Sequence, residues 1–105
     1  MAGLETGWGT FEWDDAKNAA NIAKHGVGFE LAASIFRRPV LTRTDQRTDY
    51  GEKRQVSLGL VDDVLILVVV HTDRQSSRRL ISARRASKAE RRRYDDALRP
   101  RPDSR

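Results

Sequence analysis

Residues 80–98, LISARRASKAERRRYDDAL, join a strand-like segment to an arginine-rich helix and are the most informative stretch of the chain. Alternation of apolar side chains over Leu80–Ala83 predicts a strand. The arginines at positions 84 and 85 are its last residues. Ser87 stands three residues before Glu90, a capping-box spacing typical of a helix start. The sequence therefore predicts a strand that passes directly into a helix, with arginines at the junction.

Positive charge is concentrated in this part of the chain. Residues 74–105 contain twelve Lys and Arg against four Asp and Glu, a net charge of +8, whereas residues 1–73 contain eight against eleven, a net charge of −3. Such a local field attracts polyanions, among which nucleic-acid backbones are prominent. Arginines on a lone helix can equally form a solvated face. The nucleic-acid interpretation is favoured because Arg78, Arg79 and the pair at 84–85 fall on a predicted strand, where a sheet holds them.

Composition restricts the class of protein. With 105 residues, of which 38% are hydrophobic and 33% charged, the chain suits one folded domain. It contains no cysteine, which excludes disulfides and thiolate metal sites and suits a reducing, cytoplasmic location. The longest apolar run, Val64–Val70, is too short to span a membrane, and the N-terminus lacks a secretory-signal pattern. We therefore expect a small, basic, cytoplasmic protein with no membrane association.

The pattern along the chain predicts an α+β fold. Asp14 is a suitable N-cap for a helix over residues 15–24, which Gly26 ends, and a second helix covers residues 29–37 and closes before Pro39. Strands are predicted over residues 10–13, 40–44, 53–61, 64–72 and 78–85. We expect the two N-terminal helices to pack on one face of a mainly antiparallel four- to five-stranded sheet, with the other face open and a C-terminal helix following.

Both ends of the chain are predicted to lie outside this domain. Residues 1–9 are rich in glycine and are expected to form a flexible extension, and residues 99–105, RPRPDSR, a disordered basic tail. The domain itself is expected to span residues 10–98, with a polar loop over residues 45–51.

Several short motifs follow one another in order from Thr10 to Leu98. They are Phe11–Asp14, Asn21, Lys24–Val27, Phe29–Glu30, Ala32–Ala33, Glu52–Arg54, Val69–Thr72, Ile81–Ala86, Glu90–Arg91 and Tyr94. Their order and spacing resemble those of the BrnT family of bacterial toxins. Each motif alone is short, and residues 1–9 contribute nothing to the resemblance.

The resemblance implies that the chain is the toxin of a type II toxin–antitoxin system. BrnT toxins are RelE-like ribonucleases that inhibit translation, and a BrnA antitoxin with a ribbon-helix-helix DNA-binding domain neutralises them. On this basis we expect a RelE-like fold, an mRNA substrate, a BrnA-like antitoxin partner, and a toxin homodimer bridged through an antitoxin dimer. No cofactor is implied.

The chemistry of RNA cleavage explains why arginines would be needed. The 2′-hydroxyl of RNA is itself the nucleophile, so the protein has to stabilise a phosphorane-like transition state and help two protons to move. Guanidinium groups suit the first task because their planar fork matches two phosphate oxygens and stays charged. We expect Arg54 and Arg84, which match family positions, to act in catalysis, and Arg79, Arg85 and Arg92 to bind RNA. The alternative for the four strand arginines, at positions 54, 79, 84 and 85, is that some only neutralise a rim or pair with carboxylates of a partner.

His71 and Tyr94 each admit two interpretations. His71 ends the predicted central strand and is expected to act as a general acid or base; the alternative is a strand-end histidine that only hydrogen-bonds a loop. Tyr94 lies one helical turn after Glu90 and either contacts RNA or anchors the helix to the sheet. Two distant histidines without cysteine provide no metal-binding set. The rival function is a non-catalytic nucleic-acid-binding module that uses the same basic face.

Overall fold

Six strands and three α-helices form the part of the chain that the structure, a computed structural model, describes, which is residues 2–6, 9–45, 53–74 and 76–98. The strands are β1 (Ala2–Thr6), β2 (Gly9–Trp13), β3 (Leu41–Asp45), β4 (Arg54–Leu60), β5 (Ile66–Asp73) and β6 (Ser77–Arg85). The helices are α1 (Asp15–His25), α2 (Phe29–Ala33) and α3 (Lys88–Leu98), and a 3₁₀ helix (Ser34–Arg37) directly follows α2. None of these helices is long and apolar enough to cross a membrane. The predicted α+β class is confirmed.

Helix α1 begins and ends where its capping residues predict. The Asp14 carboxylate accepts hydrogen bonds from the N–H groups of Lys17 (3.1 Å) and Ala16 (2.8 Å), which lower the pKa of Asp14. Gly26 closes the helix in the left-handed conformation, at φ 71°, and donates to the Ile22 carbonyl. Glycine adopts this conformation without the steric penalty of a Cβ atom, so both ends of the helix are fixed by local sequence.

The second predicted helix, over residues 29–37, is split into α2 and the 3₁₀ helix. The Ser34 hydroxyl donates to the Leu31 carbonyl, and the Arg38 N–H closes a tight i→i+3 turn at 3.3 Å. Pro39 disfavours helical backbone at the residue before it, and Arg38 is accordingly extended. The segment therefore ends as a turn of 3₁₀ helix instead of continuing as an α-helix.

The sheet is mixed, with the strand order β1-β2-β6-β5-β4-β3. Neighbouring strands are antiparallel except β2 and β6, which are parallel. The prediction of four or five strands falls short because β1 lies within residues 1–9, the segment expected to be flexible. Strand β1 pairs with the whole of β2 and covers an edge whose backbone groups would otherwise lack sheet partners. The predicted tail over residues 99–105 and most of the predicted loop over residues 45–51 lie outside the described residues.

One face of the sheet, which we call the α1 face, is covered by α1, α2 and the 3₁₀ helix. The strand residues beneath them are buried: Phe11, Trp13, Leu67, Val69, Leu80 and Ala83. Gly59 of β4 lies under the 3₁₀ helix, where a Cβ atom would be 2.8 Å from Ile35 Cβ and 2.9 Å from Val40 Cγ1. The missing side chain therefore lets the 3₁₀ helix approach the sheet closely.

The opposite face, which we call the α3 face, has a second core under α3. Tyr94 is buried there against residues of β4 and β5: Val56, Leu58, Leu60, Ile66 and Val68. The helix lies against β3 and β4. The face expected to stay open is therefore partly covered, because Tyr94 and the half-buried Leu98 need apolar surface to pack on.

The start of β5 differs from the prediction. The strand begins at Ile66, and Val64 lies in the connecting turn with 72% of its surface exposed. The Val61 N–H donates to the Leu65 carbonyl at 2.9 Å and closes this turn. The apolar run from Val64 therefore begins two residues before the observed strand.

Candidate functional site

Polar side chains cross the α3 face in one row near an end of the sheet. Arg79 of β6 lies directly opposite both Glu12 of β2 and Thr72 of β5. Asp45 of β3 lies directly opposite Arg54 of β4, and the register of β4 with β5 puts Arg54 beside Thr72. Cross-strand partners point to the same face of a sheet. The order across the sheet is Glu12, Arg79, Thr72, Arg54 and Asp45, and we call these five residues the transverse row.

Glu12 holds Arg79 in place within the transverse row. Its Oε2 accepts hydrogen bonds from Arg79 Nη1 (3.3 Å) and Arg74 Nη1 (3.1 Å), and its Oε1 accepts one from Ser77 Oγ (3.2 Å). The side chains of Glu12 and Arg79 are only 22% and 21% exposed. An ion pair with this degree of burial is less screened than a surface pair, so it restricts the position of the guanidinium group.

Arg54 also has a carboxylate on its outer side. Asp45 is buried, and the Cβ atoms of directly opposite residues lie about 5 Å apart. Two strand spacings, about 10 Å, separate the Cα atoms of Arg54 and Arg79, with Thr72 between them. The transverse row therefore presents two guanidinium groups on either side of one hydroxyl group, an arrangement that can bind an anion such as phosphate from both sides.

A second arginine site lies where β6 passes into α3. Arg84 Nη1 and Nη2 donate to Oε1 and Oε2 of Glu90, both at 2.8 Å, and form a bidentate ion pair. These hydrogen bonds lower the pKa of Glu90 to about 2 against the opposing effect of partial burial, so Glu90 is ionised at neutral pH. Glu90 Oε1 also accepts from the Ser87 N–H (2.8 Å), and the Glu90 N–H donates to Ser87 Oγ (3.2 Å). The predicted capping box is confirmed, and it also positions Arg84.

Asn21 of α1 fixes the strand next to Arg84. Its Nδ2 donates to the carbonyls of Val27 and Ala83, both at 2.8 Å, and its Oδ1 accepts from the Ala83 N–H at 3.2 Å. The pairing of β2 with β6 ends at Arg79, so beyond this point the side-chain amide takes the place of a neighbouring strand. Sequence analysis assigned Asn21 no such role, because asparagine in a helix is ordinarily exposed.

A β-bulge places the two arginine sites on the same face. Arg79 and Arg84 are five residues apart, and in a regular strand this odd separation would direct them to opposite faces. The register of β6 against β5 shifts at Ile81, which is an extra residue in β6. Arg84 lies opposite Val68, a residue of the α3-face core. The two arginines therefore share the α3 face, about 15 Å apart along β6.

His71 lies on the other side of the sheet, on the α1 face, and is fully buried. Burial and the charge of Arg78 lower its pKa to about 4, so the ring is neutral at neutral pH. Although burial opposes it, hydrogen bonds from Arg78 (2.6 and 2.9 Å) lower the pKa of Asp73, which is therefore ionised and can only accept. His71 Nδ1 accordingly donates to Asp73 Oδ1 (2.9 Å), and Ser57 Oγ donates to Nε2 (2.7 Å).

These side chains have the connectivity of a catalytic triad without its properties. Ser57 is fully buried, and Arg78 neutralises the carboxylate that would have to stabilise an imidazolium. Thr42 Oγ1 lies 2.7 Å from Ser57 Oγ, so the network links β3, β4, β5 and β6 across the α1 face. The expected general acid or base at His71 is thus placed away from the arginine sites, and the alternative interpretation, a structural histidine, fits its burial.

The other predicted RNA contacts do not join the two arginine sites. Arg85 lies opposite Leu67 and so points to the α1 face. Arg92 lines a groove of about 430 Å³ along α3. It lies about 200° around the helix axis from Glu90, so it points away from the side of α3 that contacts Arg84. Tyr94 is buried and packs α3 against the sheet, which fits the alternative interpretation of an anchor, while an RNA contact there stays a prediction. Of the seven predicted site residues, the α3 face brings together Arg54, Arg79 and Arg84.

Sequence analysis missed the partners of these arginines. Glu12, Thr72 and Asp45 are remote from one another in the chain, and only strand order and register bring them together. The capping-box spacing did identify Glu90, but as a helix cap and not as the partner of Arg84. Across residues 9–45, 53–74 and 76–98, no three His, Cys, Asp or Glu side chains are arranged to hold a metal ion.

Comparisons with known proteins point to one family. A protein-family model described as "Ribonuclease toxin, BrnT, of type II toxin-antitoxin system" matches residues 13–90. The crystal structure of the Brucella abortus ribonuclease toxin BrnT is similar, with a TM-score of 0.56 and 27% sequence identity, over 74% of this chain and 96% of that chain. No match was found among curated proteins. The residues matched by the family model include Arg54, Arg79, Arg84 and Glu90.

Proposed function

Because the chain belongs to the BrnT family of ribonuclease toxins from type II toxin–antitoxin systems, we propose that it is an endoribonuclease that cleaves mRNA without a metal ion and thereby inhibits translation. The observation that carries this proposal is the transverse row. Its two arginines lie on either side of Thr72 on the α3 face, and each has an acidic residue as its other cross-strand neighbour. A phosphate bound between them meets positive charge from both sides.

In this mechanism the 2′-hydroxyl oxygen attacks the adjacent phosphorus, and the bond from that phosphorus to the 5′-oxygen of the next nucleotide breaks. Water takes up the 2′-hydroxyl proton and protonates the leaving 5′-oxygen, so the products are a 2′,3′-cyclic phosphate and a 5′-hydroxyl. The non-bridging phosphate oxygens gain negative charge in the transition state, and Arg54 and Arg79 donate hydrogen bonds to them. Glu12 orients the Arg79 guanidinium before the substrate binds, and Arg54 lies directly opposite Asp45 in the strand register, so we expect little reorganisation to accompany the reaction. The paired guanidinium charges supply the electrostatic stabilisation that metal ions provide in many nucleases.

His71 takes no direct part in this mechanism, because it is neutral and buried on the opposite face. Without an imidazole beside the transverse row we expect slow turnover, which suffices for a toxin that acts on a limited pool of mRNA.

We further propose that a BrnA-like antitoxin with a ribbon-helix-helix domain neutralises the chain in the cytoplasm, in a complex that contains a toxin homodimer. The net charge of +8 over residues 74–105 favours an acidic antitoxin segment that covers the arginine sites. Strand β3 lies at the edge of the sheet and offers a second mode of contact, by strand addition.

Cleavage of a labelled single-stranded oligoribonucleotide by the purified protein in excess EDTA tests the function. We expect products that end in a 2′,3′-cyclic phosphate, no cleavage of the 2′-deoxy analogue, and loss of about 100-fold in rate for Arg79→Gln. The matched control is Arg37→Gln, which removes the same charge from an exposed residue of the 3₁₀ helix. Binding of the RNA without cleavage would contradict the proposal and favour the non-catalytic binding module.

A further inference from the structure

The two arginine sites on the α3 face differ in what they can do for a phosphate. The transverse row provides two guanidinium groups from positions two strands apart. Arg79 donates to Glu12, and Arg54 lies opposite Asp45 in the strand register. Arg84 provides one guanidinium group, and both of its Nη atoms already donate to Glu90 at 2.8 Å. A phosphate at Arg84 therefore meets one cation with a carboxylate beside it, which is enough to hold a monoanion but adds little when more negative charge develops.

We propose that the scissile phosphate binds at the transverse row, between Arg54 and Arg79, and that Arg84 is a distal anchor for a second phosphate of the same RNA strand. This inference rests on the proposed function. Arg84, which the sequence predicts to act in catalysis, is thereby assigned to substrate binding. It also names the substrate class, which is a single strand long enough to reach both sites.

The distance between the sites sets that length. About 15 Å of β6 separates Arg79 from Arg84, so a dinucleotide with one phosphate occupies one site only, whereas an extended strand of several nucleotides reaches both. The face between them carries Ser82 opposite the half-buried Val70, neither of which is large or charged. Asn21 and Glu90 hold the distal end of this path, since one fixes Ala83 and the other fixes Arg84.

As a distal anchor, Arg84 binds its phosphate equally well in the ground state and in the transition state. An interaction that is equally strong in the ground state and the transition state lowers KM and leaves kcat unchanged, whereas a group that follows the developing charge changes kcat. The two sites therefore predict different kinetic signatures for otherwise similar substitutions of arginine.

Steady-state cleavage of two oligoribonucleotides, a dinucleotide and a hexanucleotide, separates the role of Arg84 from that of Arg79. For Arg84→Gln we expect KM for the hexanucleotide to rise roughly tenfold with kcat unchanged, and no effect on the dinucleotide. For Arg79→Gln we expect kcat to fall about 100-fold on both substrates. Arg37→Gln serves as the control, because it removes the same charge from an exposed residue of the 3₁₀ helix and should leave both kinetic constants unchanged. Arg84→Lys, which keeps the charge and loses the fork, replaces Arg84→Gln if that variant does not fold.

A fall in kcat on the dinucleotide with Arg84→Gln would overturn the inference, because it would place the chemistry at Arg84. Equal KM values for the two lengths in the unsubstituted protein would overturn it as well. Failure of the proposed function looks different, since no substrate of either length would then be cleaved. In that case binding of a 2′-deoxy hexanucleotide still reports on the anchor: Arg84→Gln must weaken it roughly tenfold and leave a 2′-deoxy dinucleotide unaffected.

Discussion

His71 is the residue at which burial and charge act together most strongly. It is fully buried, its ring meets Phe36 edge to face with centroids 5.3 Å apart, and it shares Asp73 with Arg78. The Arg78 guanidinium also lies over the Phe36 ring, 4.3 Å from its centroid. A second positive charge on the imidazole would therefore be desolvated and would lie near a cation, so the neutral ring is strongly favoured.

The free energy of unfolding should fall as the pH is lowered from about 6.5 to about 4. His71 titrates near 6.5 in the unfolded chain and near 4 in the folded protein, so the unfolded state takes up a proton that the folded state refuses. The stabilisation is complete above the unfolded pKa and is lost as the pH falls through this window, by about 3 kcal/mol in total. Urea denaturation at a series of pH values measures it.

Substitution of His71 provides the comparison. His71→Gln should flatten the pH dependence between about 6.5 and 4.5, whereas Ser76→Ala, which removes no titratable group from an exposed position, should leave it as it is. If His71→Gln does not fold, NMR titration of the unsubstituted protein gives the answer directly. A His71 pKa near its ordinary value of 6.5 would contradict the desolvation of the ring by burial.

At the scale of elements, capping signals predicted helices well and apolar runs predicted strands less well. Helix α1 follows from Asp14 and Gly26, and the capping box places the start of α3, because these hydrogen bonds form between residues close in sequence. The apolar run from Val64 overestimated β5, and β1 was missed within a glycine-rich segment. Strand formation depends on what pairs with the segment, which local sequence does not specify.

The capping box should contribute measurably to stability. Ser87→Ala removes the hydroxyl that accepts from the Glu90 N–H, and we expect the free energy of unfolding to fall by about 1 kcal/mol. Ser76→Ala, at an exposed position outside the helices, is the matched control and should change stability by less than about 0.5 kcal/mol. Thermal or urea denaturation of the two variants measures the difference. Equal stability of both variants would show that the capping hydrogen bond is exchanged for water at no cost.

At the scale of the whole molecule, the sheet separates two roles. The α1 face carries the buried network of His71, and the α3 face carries Arg54, Arg79 and Arg84. The local charge excess over residues 74–105 marked Arg79 and Arg84 as candidates for anion binding, since arginine on a predicted strand is visible in the sequence. Their binding of an anion stays a prediction. The charge excess could not tell which face each one occupies, because the bulge at Ile81 reverses the alternation within β6.

This separation predicts how RNA affinity depends on salt. Each arginine that contacts a phosphate releases counterions, so the slope of log affinity against log salt should become shallower by about 0.7 for each of Arg54→Gln, Arg79→Gln and Arg84→Gln. Arg37→Gln lowers the net charge equally, but Arg37 lies on the 3₁₀ helix that covers the α1 face. The slope of log affinity against log salt should therefore be unchanged in this variant. Fluorescence anisotropy with a 2′-deoxy oligonucleotide at several salt concentrations measures the slopes without cleavage. If Arg37→Gln reduced the slope as much as the other three, affinity would follow the net charge of the molecule and not the α3 face, and both arginine sites would lose their assignment as phosphate contacts.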